Sequence, residues 1–227
     1  MCDITLSYTE KGSGYPLILL HGNGENRSYF TYQISYFSEK RRVIAVDTRG
    51  HGQTPRGDKP FTLAQFADDL HAFLLSRNIE KADILGFSDG ANIAILFALK
   101  YPTFVNKLVL NGGNIFPSGI KKCSLLFMKL SYKLASLFSD KSKKNARKKE
   151  LLSLMLFQPD LRPEDLFEIK SPVLVIAGTR DVIKSSHTKL IASSIPNSHL
   201  VIICGDHYIA RKNREKFNSA VDEFLSV

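Results

Sequence analysis

Short, continuously apolar runs rich in β-branched residues alternate along this chain with longer stretches of helical periodicity, and that alternation narrows the choice of fold more than any other feature. Residues 43–46 (VIAV), 82–85 (ADIL), 107–110 (KLVL), 173–177 (VLVIA) and 200–204 (LVIIC) read as strands buried on both faces. Near the N-terminus, residues 4–8 alternate and then meet KGSG, which predicts a hairpin-like turn into a strand over 17–20. Between the strands, residues 62–77, 89–100, 185–194 and 214–225 space their apolar residues as helices do; Phe66, Leu70, Phe73 and Leu74 form one such stripe. The pattern predicts an α/β protein with a mostly parallel central sheet flanked by helices. In open sheets of that kind, ligands bind beyond the carboxyl ends of the strands.

One stretch breaks the alternation. Residues 115–165 contain no strand pattern, only two apolar-basic runs, CSLLFMKLSYKLASLF and ELLSLMLF, separated by SDKSKKNARKK. This predicts a small helical lid insertion over the end of the sheet, leaving residues 1–114 and 166–227 as the core, a size that suits one domain. Charge enters here. The formal net charge is +9, and the segment from Lys121 to Lys149 holds ten Lys or Arg against the single acid Asp140, so it carries the whole excess. An expected arrangement sets Leu125, Leu126, Met128, Leu130, Leu134 and Leu137 over an apolar acyl pocket, with Lys129, Lys133, Lys141 and Lys143 outside and SDKSKKNARKK as a solvated basic loop. Its cationic edge makes weak contact with an acidic membrane surface an expectation to test. A nucleic-acid partner is not expected, because the lysines flank one segment and no binding fold accompanies them.

The N-terminal residues lack a basic stretch followed by an apolar one, and PLILL is too short to serve as a signal or span. Three cysteines, Cys2, Cys123 and Cys204, are too scattered for a disulfide framework or a zinc site. These features read as a reduced, cytoplasmic protein; the sequence carries no indication of oligomeric state.

Chemistry concentrates after the strands. GFSDG places Ser88 where a strand gives way to a helix, a sharp elbow that projects a hydroxyl into the crevice. A hydroxyl is a weak nucleophile at neutral pH and needs a histidine base, which in turn needs a carboxylate to fix its tautomer. Ser88, Asp181 and His207 each lie just after a strand, in that order along the chain. Asp206 is a rival acid, but adjacent side chains on an extended stretch point apart. Asp47 reads as stabilising its own loop. His21 and His51 read as structural hydrogen bonders, and His71, His187 and His199 as surface or capping residues.

HGNG after an early strand, the DTRGHGQT loop, GFSDG, AGTRD and GDH occur in one order across nearly the whole chain, and in this the sequence resembles the α/β-hydrolase family, its serine esterase and lipase-like members in particular. The resemblance implies Ser88 as nucleophile, His207 as general base and acid, Asp181 as its orienting carboxylate, and an oxyanion hole from the backbone N–H groups of Asn23 and Asp89. It implies no metal and no organic cofactor. Asp89 departs from the uncharged residue often found after the nucleophile, and is expected to cap the helix. The function implied is hydrolysis of a small or medium, partly apolar carboxylic ester through an acyl-enzyme, as in carboxylesterases. Thioesterases, carbon–carbon bond hydrolases and ligand sensors with little turnover share the same set and stand as alternatives.

Overall fold

The computed structural model describes residues 3–226, apart from the side chain of Lys141; Cys2 and that side chain therefore lie outside the described residues, as do the outermost residues of the expected core. Seven strands form one sheet: β1 (Tyr8–Lys11), β2 (Pro16–Leu20), β3 (Arg42–Val46), β4 (Ala82–Phe87), β5 (Val105–Asn111), β6 (Val173–Gly178) and β7 (Ser198–Ile203). Their order across the sheet is β1-β3-β2-β4-β5-β6-β7. Only β1 is antiparallel; every other neighbouring pair is parallel. The α-helices are α1 (Thr31–Phe37), α2 (Leu63–Ser76), α3 (Asp89–Lys100), α4 (Lys122–Leu137), α5 (Lys143–Phe157), α6 (Ser185–Ser194), α7 (Ile209–Lys212) and α8 (Arg214–Ser226).

Alternation along the strands divides the core into two layers. Ile18 and Leu20 of β2 pack with Ile44, Ile84 and the apolar faces of α2 and α3. Leu17 and Leu19 face the other way, with Phe37 of α1 and Phe217, Val221 and Leu225 of α8. Helix α2 starts where Thr62 accepts the Gln65 N–H, a cap of the kind that sets a helix N-terminus. Helix α3 is buried on nearly every side, which explains its all-round apolar sequence.

Five expectations are corrected. The KGSG turn does not make a hairpin: β1 starts at Tyr8 and pairs with β3, Tyr8 facing Val46, because β3 lies between it and β2. The alternating Ile4 and Leu6 are buried outside any strand. Strand β7 is not buried on both faces; it forms the sheet's open edge, and Leu200 and Ile202 are exposed there. The basic KKNARKK is helical rather than a loop, forming the first half of α5 behind the N-cap Ser142. Finally, four of the six apolar residues expected to face inward on α4 face solvent instead, while Lys129 and Lys133 are exposed as expected. Met128 and Leu125 turn toward the body half-buried, while Leu126, Leu130, Leu134 and Leu137 are exposed.

Several contacts hold the connection from β5 to β6, with its α4 and α5, against the core. Lys121 N–H donates to Val182 O and Lys184 N–H to Gly119 O, both at 2.9 Å. Arg56 pairs with Glu150 at 2.8 Å. The Leu63 N–H donates to Gln158 Oε1 at 2.9 Å. No helix among the described residues is long and apolar enough to cross a membrane.

Candidate active site

Ser88 joins β4 to α3 with φ 54° and ψ −119°, a conformation that costs a non-glycine residue about 1–3 kcal/mol. Its surroundings hold it there. The Ser88 N–H donates to Asn111 O at 2.8 Å, and its carbonyl accepts the Ala91 and Asn92 N–H groups at 2.9 and 3.1 Å. The flanking glycines are required by close approach. A Cβ on Gly86 would stand 2.3 Å from Gly90 O, and one on Gly90 would stand 2.0 Å from Leu20 O.

His207 Nε2 lies 3.0 Å from Ser88 Oγ, and its Nδ1 lies 2.7 Å from Asp181 Oδ1. With Nδ1–H donating to the carboxylate, the Nε2 lone pair faces the serine hydroxyl. Asp181 is itself fixed, accepting the Ile183 N–H at 2.9 Å through the same oxygen. The loops bearing this pair are laced together: Thr179 N–H donates to Ile203 O at 2.9 Å and Arg180 N–H to Gly205 O at 2.8 Å. The structure thus brings Ser88, His207 and Asp181 into one hydrogen-bonded chain. The rival Asp206 is turned away, paired with Lys212 and bonded to the Tyr208 N–H.

A cavity of about 170 Å³ opens beside Ser88, and both Asn23 and Asp89 line it. Asp89 is the first residue of α3, so its N–H has no acceptor within the helix. Asn23 follows the His21-Gly22 pair at the end of β2. Phe87, Ile120, Met128, Met155, Val182 and Ile183 supply apolar wall, the two methionines coming from α4 and α5. Glu25 lines the cavity too, and no Lys or Arg does.

The Asp89 carboxyl does not cap α3 as expected. Its Oδ2 accepts the Asn23 side-chain amide at 2.8 Å and its Oδ1 that of Asn92 at 3.4 Å, rather than first-turn backbone N–H groups. Asn23 Nδ2 also donates to Leu151 O of α5 at 2.9 Å, so one amide ties the carboxyl to the helical pair. Burial pushes Asp89 up to about 6, against the lowering effects of Asn23 and the His207 charge. Burial likewise raises Glu25.

The remaining histidines are held structurally. His21 Nδ1–H donates to Gly22 O at 2.8 Å, and Nε2 accepts the Thr48 N–H at 3.1 Å. His51 Nδ1–H donates to Arg49 O at 3.0 Å, and burial lowers the ring to about 4. His71 stacks on Tyr101, and His199 is exposed. His187 is not a surface residue: it is buried, and its Nε2 accepts the Ile115 N–H at 3.1 Å. Asp47 stabilises its loop, accepting the Arg27 N–H at 2.7 Å and the Gln53 N–H at 2.9 Å.

Two residues that line the cavity were not anticipated, whereas Met128 was expected over it. Glu25 lies in the HGNGE stretch, and Met155 sits within an apolar run that sequence alone does not orient. Gly112 had a legible signal, a glycine pair after a strand. It adopts φ +64°, and a Cβ there would come within 2.8 Å of His207 Cε1. Among the described residues no group of three or more His, Cys, Asp or Glu could hold a metal ion.

A serine elbow after the central strand β4, with acid and histidine after the last two strands, β6 and β7, defines a hydrolase of the α/β type. The chain belongs to the α/β-hydrolase family, whose fold model matches residues 15–133. It is 29% identical to the AB hydrolase superfamily protein YisY of Bacillus subtilis (strain 168), over 97% of this chain and 95% of that relative. It is 28% identical to the 2-hydroxymuconate semialdehyde hydrolase of Pseudomonas putida, over 96% of this chain and 89% of that one. Among solved structures, the enol-lactonase from Burkholderia xenovorans LB400 superposes with a TM-score of 0.82 at 22% identity, covering 98% of this chain and 96% of that chain.

Proposed function

We propose that the chain hydrolyses carboxylic esters with a small acyl group, by way of an acyl-enzyme on Ser88. The observation that carries this reading is the unbroken hydrogen-bonded chain from Ser88 Oγ through His207 to Asp181, at the wall of a cavity. Ser88 Oγ attacks the carbonyl carbon as its proton passes to His207 Nε2. Asp181 keeps the Nδ1 proton in place and stabilises the imidazolium. Negative charge on the carbonyl oxygen is met by the Asn23 and Asp89 N–H groups, the latter at the positive end of α3. Collapse expels the alkoxide, which takes the proton from His207. Water then attacks the acyl carbon, gives a proton to His207, and the second collapse returns it to Ser88. The α4–α5 pair acts as a lid, closing the cavity from residue span 115–165.

Size and charge narrow the substrate. A cavity of about 170 Å³ suits a short acyl chain. Two acids and no Lys or Arg line it, which favours a neutral or positively charged acyl group over an anionic one. A larger groove of about 560 Å³ runs between β7 and α8, but its lining holds no paired nucleophile and base. A carbon–carbon bond hydrolase is the second reading, favoured by the likeness to the 2-hydroxymuconate semialdehyde hydrolase. The acidic lining argues against it, because a carboxylate-bearing substrate would meet Glu25 and Asp89.

The test is covalent. A fluorophosphonate is expected to modify Ser88, mapped by mass spectrometry, and p-nitrophenyl esters are expected to turn over, fastest with short neutral chains. Labelling without ester turnover, coupled with cleavage of a vinylogous diketone, would move the assignment to carbon–carbon chemistry. Absence of labelling would remove the nucleophile assignment.

A further inference from the structure

Helix α4 faces solvent with its larger apolar side. Leu126 is 69% exposed, Phe127 72% and Leu137 65%, and Leu130, Leu134 and Phe138 complete the stripe. The leucines stand four, four and three residues apart, the spacing of one helix face, and the phenylalanines extend its flank. The inward face is poorer: Ala135 is its buried residue, with Leu125, Met128 and Tyr132 half-buried. A continuous outward stripe of this kind marks a contact surface. Lys122, Lys129 and Lys133 are exposed along one edge of the same helix, and Lys143, Lys144, Arg147 and Lys148 are exposed on α5. Apolar stripe and cationic border together are the composition of a helix that lies in a lipid interface.

We propose that α4 docks on an anionic phospholipid surface, its leucines and phenylalanines entering the acyl boundary and the lysines of α4 and α5 meeting the headgroups. Charge decides between this occupant and a second copy of the chain. A two-fold pair would set the same patch against itself, bringing two segments of net charge +9 together, whereas an anionic leaflet neutralises that charge. The site lies on the outer side of the helix whose Met128 lines the cavity, so the docked face and the candidate active site share one element. The inference does not depend on which bond Ser88 cleaves.

The experiment is co-sedimentation of the full chain with extruded vesicles of phosphatidylcholine alone, or of equal parts phosphatidylcholine and phosphatidylglycerol. Binding to the mixed vesicles is expected to be at least about tenfold tighter and to weaken with salt, since each cation near an anionic leaflet strengthens attachment about fivefold. The triple variant Leu126→Ser, Leu130→Ser, Leu134→Ser changes exposed residues only and is expected to stay folded, by circular dichroism, while losing attachment. Lys143→Glu with Lys144→Glu and Lys148→Glu is expected to abolish the preference for phosphatidylglycerol. Equal binding to both vesicles, no binding to either, or unchanged binding by the leucine variant would overturn the proposal. So would concentration-dependent dimerisation in sedimentation velocity that the leucine variant abolishes, which would assign the face to a second copy.

Discussion

Replacing Asp89 with Asn tests the most unusual feature of the site, a buried carboxyl directly after the proposed nucleophile. Asn keeps the shape and still accepts the Asn23 amide, but carries no charge. In the folded protein the Asp89 carboxyl is raised from its ordinary 3.8 to about 6, chiefly by burial. The folded state therefore holds this proton more tightly than the unfolded chain does. Stability from that proton is fully present below the unfolded value, is lost as pH rises, and is gone above about 6. A shift of this size is worth about 3 kcal/mol, so wild type carries a penalty of about 1 kcal/mol at about pH 4.5 and about 3 kcal/mol at about pH 7.5. Asp89→Asn is expected to be more stable than wild type by amounts that grow across that interval. Urea unfolding followed by circular dichroism at both pH values measures it. A difference that stays constant with pH, or a variant less stable at both, would mean that the carboxyl ionises without desolvation cost, and the buried placement would be wrong.

Ser88→Ala and His207→Ala are each expected to lower ester turnover by about 10⁴–10⁶, and Asp181→Asn by about 10⁴ through loss of the correct tautomer, read as kcat on a p-nitrophenyl ester. Ser88→Gly removes the side chain from a positive-φ position and is expected to raise stability by about 1 kcal/mol while abolishing turnover, as a shift in urea midpoint. Arg49 is fully buried between Asp3 and Asp69, at 2.6 and 2.7 Å. Arg49→Ala removes the guanidinium that pairs with the buried Asp69 carboxylate and is expected to destabilise by about 3–5 kcal/mol, measured by the same unfolding assay.

Strands β2 to β6 and helices α2, α3, α6 and α8 were legible because their burial is two-sided or stripe-like and leaves a periodic trace in the residues. Helix α1 was missed: TYQISYF buries Gln33 and Phe37 but carries polar residues between them, too short a pattern to read. The orientation of α4 was illegible for a different reason. Its leucines and its lysines both repeat at helical spacing, and nothing local says which side meets the protein. The partners of Ser88 were readable from order alone, since each follows its own strand, whereas the Asn23–Asp89 contact spans 66 residues and depends on β2 lying beside β4.

The lacing of the Asp181 and His207 loops has a mechanical consequence. Strands β6 and β7 share six paired positions and their following loops are bonded to each other, so the outer two strands form one unit beside β5, with which β6 shares four. Acid and histidine ride together on that unit, and the serine is anchored at the centre. Shear along the β5–β6 seam therefore alters the Ser88–His207 separation and leaves the His207–Asp181 distance intact.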